Sequence, residues 1–335
     1  MSSFYSRRRI RMASLDQIAK ISGYSKATVS RVLNNSPHVN PQTRHKILEI
    51  MKQLDYVPNR NAISLAKGRT MQIGVITAVI NEVMLPFLNS FVKAAERYGF
   101  QSIIYITYGD EKKELQAFND LRQKRVDGLA IVSSSISPDL IATYLKYGPI
   151  VSWQRMDHPE LQWVSMDQYE GYSLALKHLL QKGYRRIANA FGRSASLNTH
   201  NRRRAYEAWM KQYNLPIMSH FYYSDMYSIL DGEQIMADLV SQGRIEQVDA
   251  ILCANDYVAA GMFTQTKRQG ISVPHEIAIV GFDNTAISKT LGITTIDNPI
   301  KQQGENAFFI LSQRLLKEPI SLHELSFKLV ERETT

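Results

Sequence analysis

The chain has 335 residues, 44% of them hydrophobic, with 40 Lys+Arg against 31 Asp+Glu, which is enough chain for two or three cores and excludes a disulfide-stapled miniprotein. No apolar stretch approaches the roughly 18 residues of a membrane span, and no apolar block follows Arg7, Arg8, Arg9 and Arg11 to complete a secretion signal, so a cytoplasmic protein is expected. The single cysteine, Cys253, fits a reducing compartment, and neither a metal nor a cofactor is expected.

The charge is concentrated. Residues 1 to 69 hold 13 Lys+Arg and 3 acidic side chains, whereas the other 266 residues hold 27 and 28. A small basic unit joined to a near-neutral body suits nucleic acid or an anionic membrane surface. The basic residues lie among polar turns with no apolar insertion face, which argues against the membrane.

In chain order, Ser14-Leu15-Asp16-Gln17 reads as a capping box opening a first short helix. Gly23 supplies a turn and Ser25 an N-cap, and Ala27 to Leu33 forms a second helix with Val29, Val32 and Leu33 on one face. Asn34-Asn35-Ser36-Pro37 breaks the chain. Asn40-Pro41 restarts it as N-cap and first helical residue, and Ile47, Ile50, Met51 and Leu54 recur at helical spacing. Three short helices so spaced form a helix-turn-helix whose second helix enters the major groove. Lys26, Ala27 and Arg31 suit base edges. Ser25, Thr28, Ser30, Asn34, His38, Thr43 and Asn59 suit the phosphate backbone, with plain helix capping as the alternative for Ser25 and Asn34. Between Pro58 and Gly68 lies a short apolar segment, Ala62, Ile63, Leu65 and Ala66, too short to persist as an isolated helix.

From Met71 strand-like and helix-like runs alternate, which predicts parallel sheets covered by helices. The first series is a strand Ile73 to Ile80, a helix Pro86 to Tyr98, a strand Ser102 to Thr107, a helix Leu115 to Gln123, a strand Gly128 to Val132, a helix Leu140 to Lys146 and a strand Ile150 to Trp153. The second opens with a strand at Val164 to Met166. It continues through helix Gly171 to Gln181, strand Arg186 to Ala190, helix Arg202 to Tyr213, strand His220 to Tyr223, helix Gly232 to Gln242, strand Ala250 to Ala254, helix Val258 to Gln269 and strand Ile277 to Phe282. Two consecutive doubly wound lobes are implied. Ligands in such folds bind beyond the carboxyl ends of strands, which selects Asn81, Ser133, Gln154, Arg155, Asp167, Asn255, Asp256, Asp283 and Asn298.

Three motifs in order, Leu15-Asp16-Gln17-Ile18-Ala19, Gly23-Tyr24-Ser25-Lys26-Ala27-Thr28-Val29-Ser30-Arg31-Val32-Leu33-Asn34 and Tyr56-Val57-Pro58-Asn59-Arg60-Asn61-Ala62, resemble the lactose/galactose repressor (LacI/GalR) family. Ala254-Asn255-Asp256, Val280-Gly281-Phe282-Asp283 and Thr294-Thr295-Ile296 extend the resemblance to nearly the whole chain. Met12-Ala13-Ser14 is similar to the usual family start. Residues 1 to 11 lie outside the resemblance, although their arginines also suit a minor-groove arm. The resemblance implies an α/β protein of defined plan. A helix-turn-helix domain (1–58) and a hinge helix (59–70) precede a two-lobed, periplasmic-binding-protein-like core (71–335) of doubly wound parallel sheets. The N-lobe would take about 71–165 plus 298–324, and the C-lobe about 166–297 plus 325–335.

By the same resemblance, paired hinge helices with Ala62 and Leu65 enter the minor groove of a palindromic operator bound by a homodimer. Arg202, Asn255, Asp283, Gln154 and Asn298 would hold hydroxyls of a small polar effector, a sugar or sugar phosphate, with Tyr227 against its apolar face. Gln154 stands where the family usually has aspartate, so an amide replaces a carboxylate. Ala205 replaces a glycine at what reads as the start of a helix. Some family members answer to a phosphorylated carrier protein instead, and the catabolite-control branch is faintly similar around Tyr147–Gln154 and Ile287–Gly292. Arg202-Arg203-Arg204 would suit such a partner, or form a solvated helix end. No Gly-x-Ser-x-Gly elbow, Walker loop, His-Glu-x-x-His or Gly-x-Gly-x-x-Gly occurs, so no enzyme is expected. A transported-sugar carrier would share the body but would not need the basic head. The function expected is therefore a sequence-specific regulator, a repressor of carbohydrate-use genes.

Overall fold

The computed structural model describes residues 13–33, 36–57 and 68–335, and the chain divides into two compact units, 1–70 and 71–335. Asn34, Asn59, Ala62 and Leu65, and with them residues 59–67 of the hinge segment, lie outside the described residues.

In the first unit, α1 (Leu15–Ser22), α2 (Lys26–Leu33) and α3 (Pro41–Gln53) close on a core of Ile18, Val29, Val32, Ile47, Ile50 and Met51. Ser14 accepts the Gln17 amide and Asn40 accepts the Gln42 amide, so both helix starts are held by the residues expected from sequence. Gly23 closes α1 at φ 75°, a left-handed conformation that other residues adopt only under strain.

The second unit contains two sheets. The first has the order β2-β1-β3-β4-β5, from β1 (Gln72–Thr77), β2 (Gln101–Ile106), β3 (Gly128–Ile131), β4 (Ile150–Ser152) and β5 (Gln162–Trp163), all parallel. Helices α4 (Leu85–Arg97), α5 (Glu111–Arg122) and α6 (Pro138–Ala142) connect them. The second sheet has the order β11-β10-β9-β8-β6-β7. Its strands are β6 (Ile187–Ala190), β7 (Tyr222–Tyr223), β8 (Ala250–Leu252), β9 (Ala278–Phe282), β10 (Thr294–Asp297) and β11 (Lys328–Val330), with β11 antiparallel. Its helices are α7 (Gln168–Gln181), α8 (Leu197–Gln212), α9 (Ile229–Ser241), α10 (Asp256–Gln269) and α11 (Ala286–Thr290). The last helix, α12 (Ile300–Leu316), returns to the first lobe and packs Phe308, Phe309 and Leu311 with Phe87 and Phe91 of α4.

Several expectations are corrected. The strand expected at Val164 to Met166 forms just before those residues, at Gln162–Trp163, and pairs with β4 in the first sheet, so it ends the first lobe rather than opening the second. Helix α8 begins at Leu197, with Ser196 accepting the Thr199 amide, which places Arg202 and fully buried Ala205 inside the helix rather than at its start. The helix expected over Leu140 to Lys146 is the shorter Pro138–Ala142. Helices α11 and α12 and strands β10 and β11 are missing from the sequence reading.

Gly304 sets the contact of α12 with α4: a Cβ there would lie 2.2 Å from Ser90 Oγ and 2.4 Å from the Phe87 carbonyl oxygen. Gly304→Ala should therefore cost about 1 to 3 kcal/mol through forced separation of the two helices, read as an earlier midpoint in chemical denaturation. Unchanged stability would mean that the contact is not this tight.

Candidate functional site

On the first unit, Lys26, Ala27 and Arg31 are exposed along α2, while Thr28, Ser30 and Thr43 are half-buried and Ser25 and His38 exposed. Ser25 Oγ accepts the Thr28 amide at 3.2 Å and bonds the Thr28 hydroxyl at 2.9 Å, so both side chains serve the start of α2. Lys26 pairs with Asp16 of α1 at the surface. The Thr43 hydroxyl donates to Tyr24 Oη at 3.4 Å, which anchors α3 to the turn before α2.

In the second unit, a cleft of about 590 Å³ opens between the lobes. Gln154, Arg202, Tyr227, Asn255, Asp283 and Asn298 all line it, as do Asn81 and Ser133. The other three strand-end candidates do not. Arg155 lies over the Trp163 ring, Asp167 caps α7 and accepts from Asn201, and Asp256 is buried beneath the cleft wall. Asp167 and Asp256 are committed to a helix start and a loop, and Arg155 stays exposed over the ring of β5, a distinction that strand patterning cannot make.

Arg202 is buried without a salt bridge among the described residues. Its Nε and Nη2 donate to Gln168 Oε1 (3.2 and 2.8 Å), its Nη1 donates to the Ala254 carbonyl (2.7 Å), and its guanidinium lies 4.0 Å from the centre of the Phe282 ring. Burial lowers its pKa, with Asp283 nearby opposing that shift. Of the neighbouring arginines, Arg203 is half-buried and engaged, which departs from a solvated helix end, whereas Arg204 stays exposed as that reading has it. Arg203 lies over Phe191 and Tyr222 and bonds Ser224, and Arg204 lies over Tyr169.

Asn255 caps α10. Its Oδ1 accepts the Tyr257 and Val258 amides, and its Nδ2 donates to the Tyr227 carbonyl at 3.1 Å, which fixes the backbone that carries the Tyr227 ring to the cleft. Asp283 follows β9 at φ 97° and Asn284 at φ 49°, backbone positions that cost non-glycine residues about 1 to 3 kcal/mol. Buried Asp256 holds them there by accepting the Thr285 amide (2.6 Å), the Thr285 hydroxyl (2.9 Å) and the Thr295 hydroxyl (2.6 Å). Gly281 makes room for it, since a Cβ there would lie 2.3 Å from Asp256 Oδ1.

Among the described residues Asp283 is the one carboxylate lining the cleft. Burial pushes its pKa up to about 6, opposed by a hydrogen bond from Asn298 Nδ2 at 2.9 Å. Lining residues not selected from sequence include Gln168, Thr199, Arg193, Met84 and Gln303. Gln303 sits on α12, a helix buried nearly all round, and such a helix carries no amphipathic stripe to announce it.

Known proteins resemble this arrangement. The family of periplasmic binding proteins and the sugar-binding domain of the LacI family matches residues 74–325, and the bacterial regulatory proteins of the lacI family match residues 14–59. The HTH-type transcriptional regulator YkvZ of Bacillus subtilis (strain 168) is 33% identical, covering 96% of this chain and 100% of that one. The NTD biosynthesis operon regulator NtdR of the same strain is 31% identical, covering 97% and 100%. The solved structure of the lac repressor bound to ONPG in its repressed state is 25% identical with a TM-score of 0.84, covering 96% and 99%. These relatives are regulators, not enzymes.

A carboxyl with a raised folded pKa binds its proton more tightly in the folded chain than in the unfolded one. Its contribution to stability is full below about pH 4 and is lost as pH rises through about 6. Asp283→Asn should accordingly be more stable than the parent at pH 7.5, on the order of 1 to 2 kcal/mol, with the difference shrinking toward pH 4. Unfolding curves across that range test it, and a difference independent of pH would contradict the assignment.

Proposed function

Because the chain belongs to the LacI family of bacterial transcriptional regulators, we propose that it is a homodimeric repressor of carbohydrate-use genes, released from or driven onto a palindromic operator by a small polar effector held between the two lobes. The observation that carries the reading is the cleft. Six side chains, from strand ends, the loop and cap that open helices, and the interior of α8, are far apart in sequence and converge on a volume suited to a sugar.

An uncharged sugar fits better than a sugar phosphate. The buried cation, Arg202, is already engaged by Gln168 and Ala254, and Arg193 lies exposed at the rim, so no buried donor set awaits a dianion. Amides and hydroxyls dominate the remainder, with Gln154 able both to accept and to donate. The engagement of half-buried Arg203 likewise disfavours its use by a phosphorylated carrier protein at that helix. No helix among the described residues is long and apolar enough to cross a membrane.

For self-association, edge strand β2 exposes Ile104 and Ile106, followed by Tyr108, whose amide bonds Ala78 beside exposed Val79 and Ile80. An apolar strip on an open sheet edge is the surface that a second copy would cover. Dimerisation would present two copies of α2 to half-sites about 34 to 36 Å apart.

A thermal-shift panel of neutral sugars and the corresponding sugar phosphates tests the cleft, because a ligand that binds the folded state alone raises apparent stability. Stabilisation by a neutral sugar, lost in Asp283→Asn and Asn255→Ala, is expected, and stabilisation confined to phosphates would overturn the preference. For the DNA face, Arg31→Ala should cost about 1 to 3 kcal/mol of operator binding and relax one base position in a site selection. An unchanged preference would remove Arg31 from base reading. Leu65→Ala should weaken operator binding and leave effector-induced stabilisation intact, and equal operator affinity would dismiss the minor-groove wedge.

A further inference from the structure

Gln303 stands at the middle of a chain of three hydrogen bonds along the cleft. The Trp153 indole Nε1 donates to Gln303 Oε1 (2.7 Å), Gln303 Nε2 donates to Asn298 Oδ1 (2.7 Å), and Asn298 Nδ2 donates to Asp283 Oδ1 (2.9 Å). Every donor points toward the carboxylate. An indole nitrogen can only donate, so Gln303 must turn its oxygen to Trp153 and its nitrogen to Asn298. Asn298 must then turn its oxygen to Gln303, which leaves its amino group for Asp283. The direction of both amides is thus set from the tryptophan end.

The anchor of that chain is rigid. The Trp153 ring stacks on Phe87 of α4 at 4.6 Å and 20°, and Gly304 brings α12 close to the same helix. Gln303 is 2% exposed, so bulk water does not compete for its amide. Hydrogen bonds aligned head to tail in a low-dielectric site polarise one another. The chain also joins the lobes, since Asp283 follows β9 of the second sheet while Trp153 follows β4 of the first.

We propose that Gln303 and Trp153 are positioning residues of the effector cleft, which orient Asn298 to give a donor to Asp283 and so leave the other carboxylate oxygen of Asp283 to accept from the ligand. The inference rests on the reading of Asp283 as an effector contact. Without the chain, Asn298 can present either end of its amide, and its oxygen would repel the carboxylate. The charged and titratable groups acting on Asp283 are Arg202 of α8 and Asp256 and Tyr257 at the start of α10. Asp297 and Arg332 bond the adjacent Asn284 instead.

The test follows the Asp283 carboxyl by NMR in the full-length protein labelled with ¹³C at aspartate carboxyls, its signal identified by loss in Asp283→Asn. Gln303→Leu and Trp153→Phe should each raise its titration midpoint by roughly 0.5 to 1 pH unit, the worth of one hydrogen bond to the ionised form. Trp153→Phe keeps the ring on Phe87 and removes the indole N–H, so it carries the test if Gln303→Leu does not fold. A midpoint at the parent value in Trp153→Phe would overturn the proposal, because a packing role for the ring predicts no movement. The titration needs no ligand, whereas the cleft reading stands or falls on sugar stabilisation, so either can fail without the other.

Discussion

A buried guanidinium without a carboxylate in contact is the constraint around which the core is arranged. An isolated charge in a protein interior is costly unless its N–H groups are satisfied. Arg202 is satisfied by the side chain at the start of α7 and by the backbone just past β8, and its plane rests on the ring that ends β9. Four elements of the second lobe must therefore meet at one point for the cation to be tolerated. The place where they meet is one wall of the cleft.

The same wall holds features that oppose stability. Asp283 has a backbone conformation that aspartate rarely adopts and a carboxyl whose ionisation is disfavoured by burial. Buried Asp256, clamped by Thr285 and Thr295, is the compensation built beneath it. Strain and a costly charge placed together at a cleft are features that ligand sites often carry, and they support the proposal of Asp283 as an effector contact. On that proposal a hydroxyl donating to Asp283 would replace hydration that burial has removed, and ligand binding and core stability would be linked through this residue.

Much of this was legible in the sequence. The three-helix head follows from Ser14, Gly23 and Asn40-Pro41, each of which performs locally the task its chemistry suggests. The alternation of runs from Met71 gives the two lobes, and the rule that ligands gather beyond strand ends places six residues in one cleft. What was not legible depends on tertiary contact. Arg155, Asp167 and Asp256 have the same local signal as Asn255 and differ only in what lies across from them. Helix α12 is buried on nearly every side, so its residues show no helical stripe, and Gln303 was hidden with it. The displacement of β5 toward the N-terminus reflects a two-residue strand that pairing, not propensity, defines.

The central claim is that a ligand at Arg202 and its neighbours governs how the basic head holds DNA. It is tested most directly by fluorescence anisotropy of the full chain on a selected duplex against random competitor, comparing the parent with Arg202→Met in the presence and absence of a stabilising sugar. Both proteins should prefer the selected duplex, and only the parent should change affinity when the sugar is added. A variant that responds to the sugar as the parent does, or a parent with no preference for any selected duplex, would contradict it.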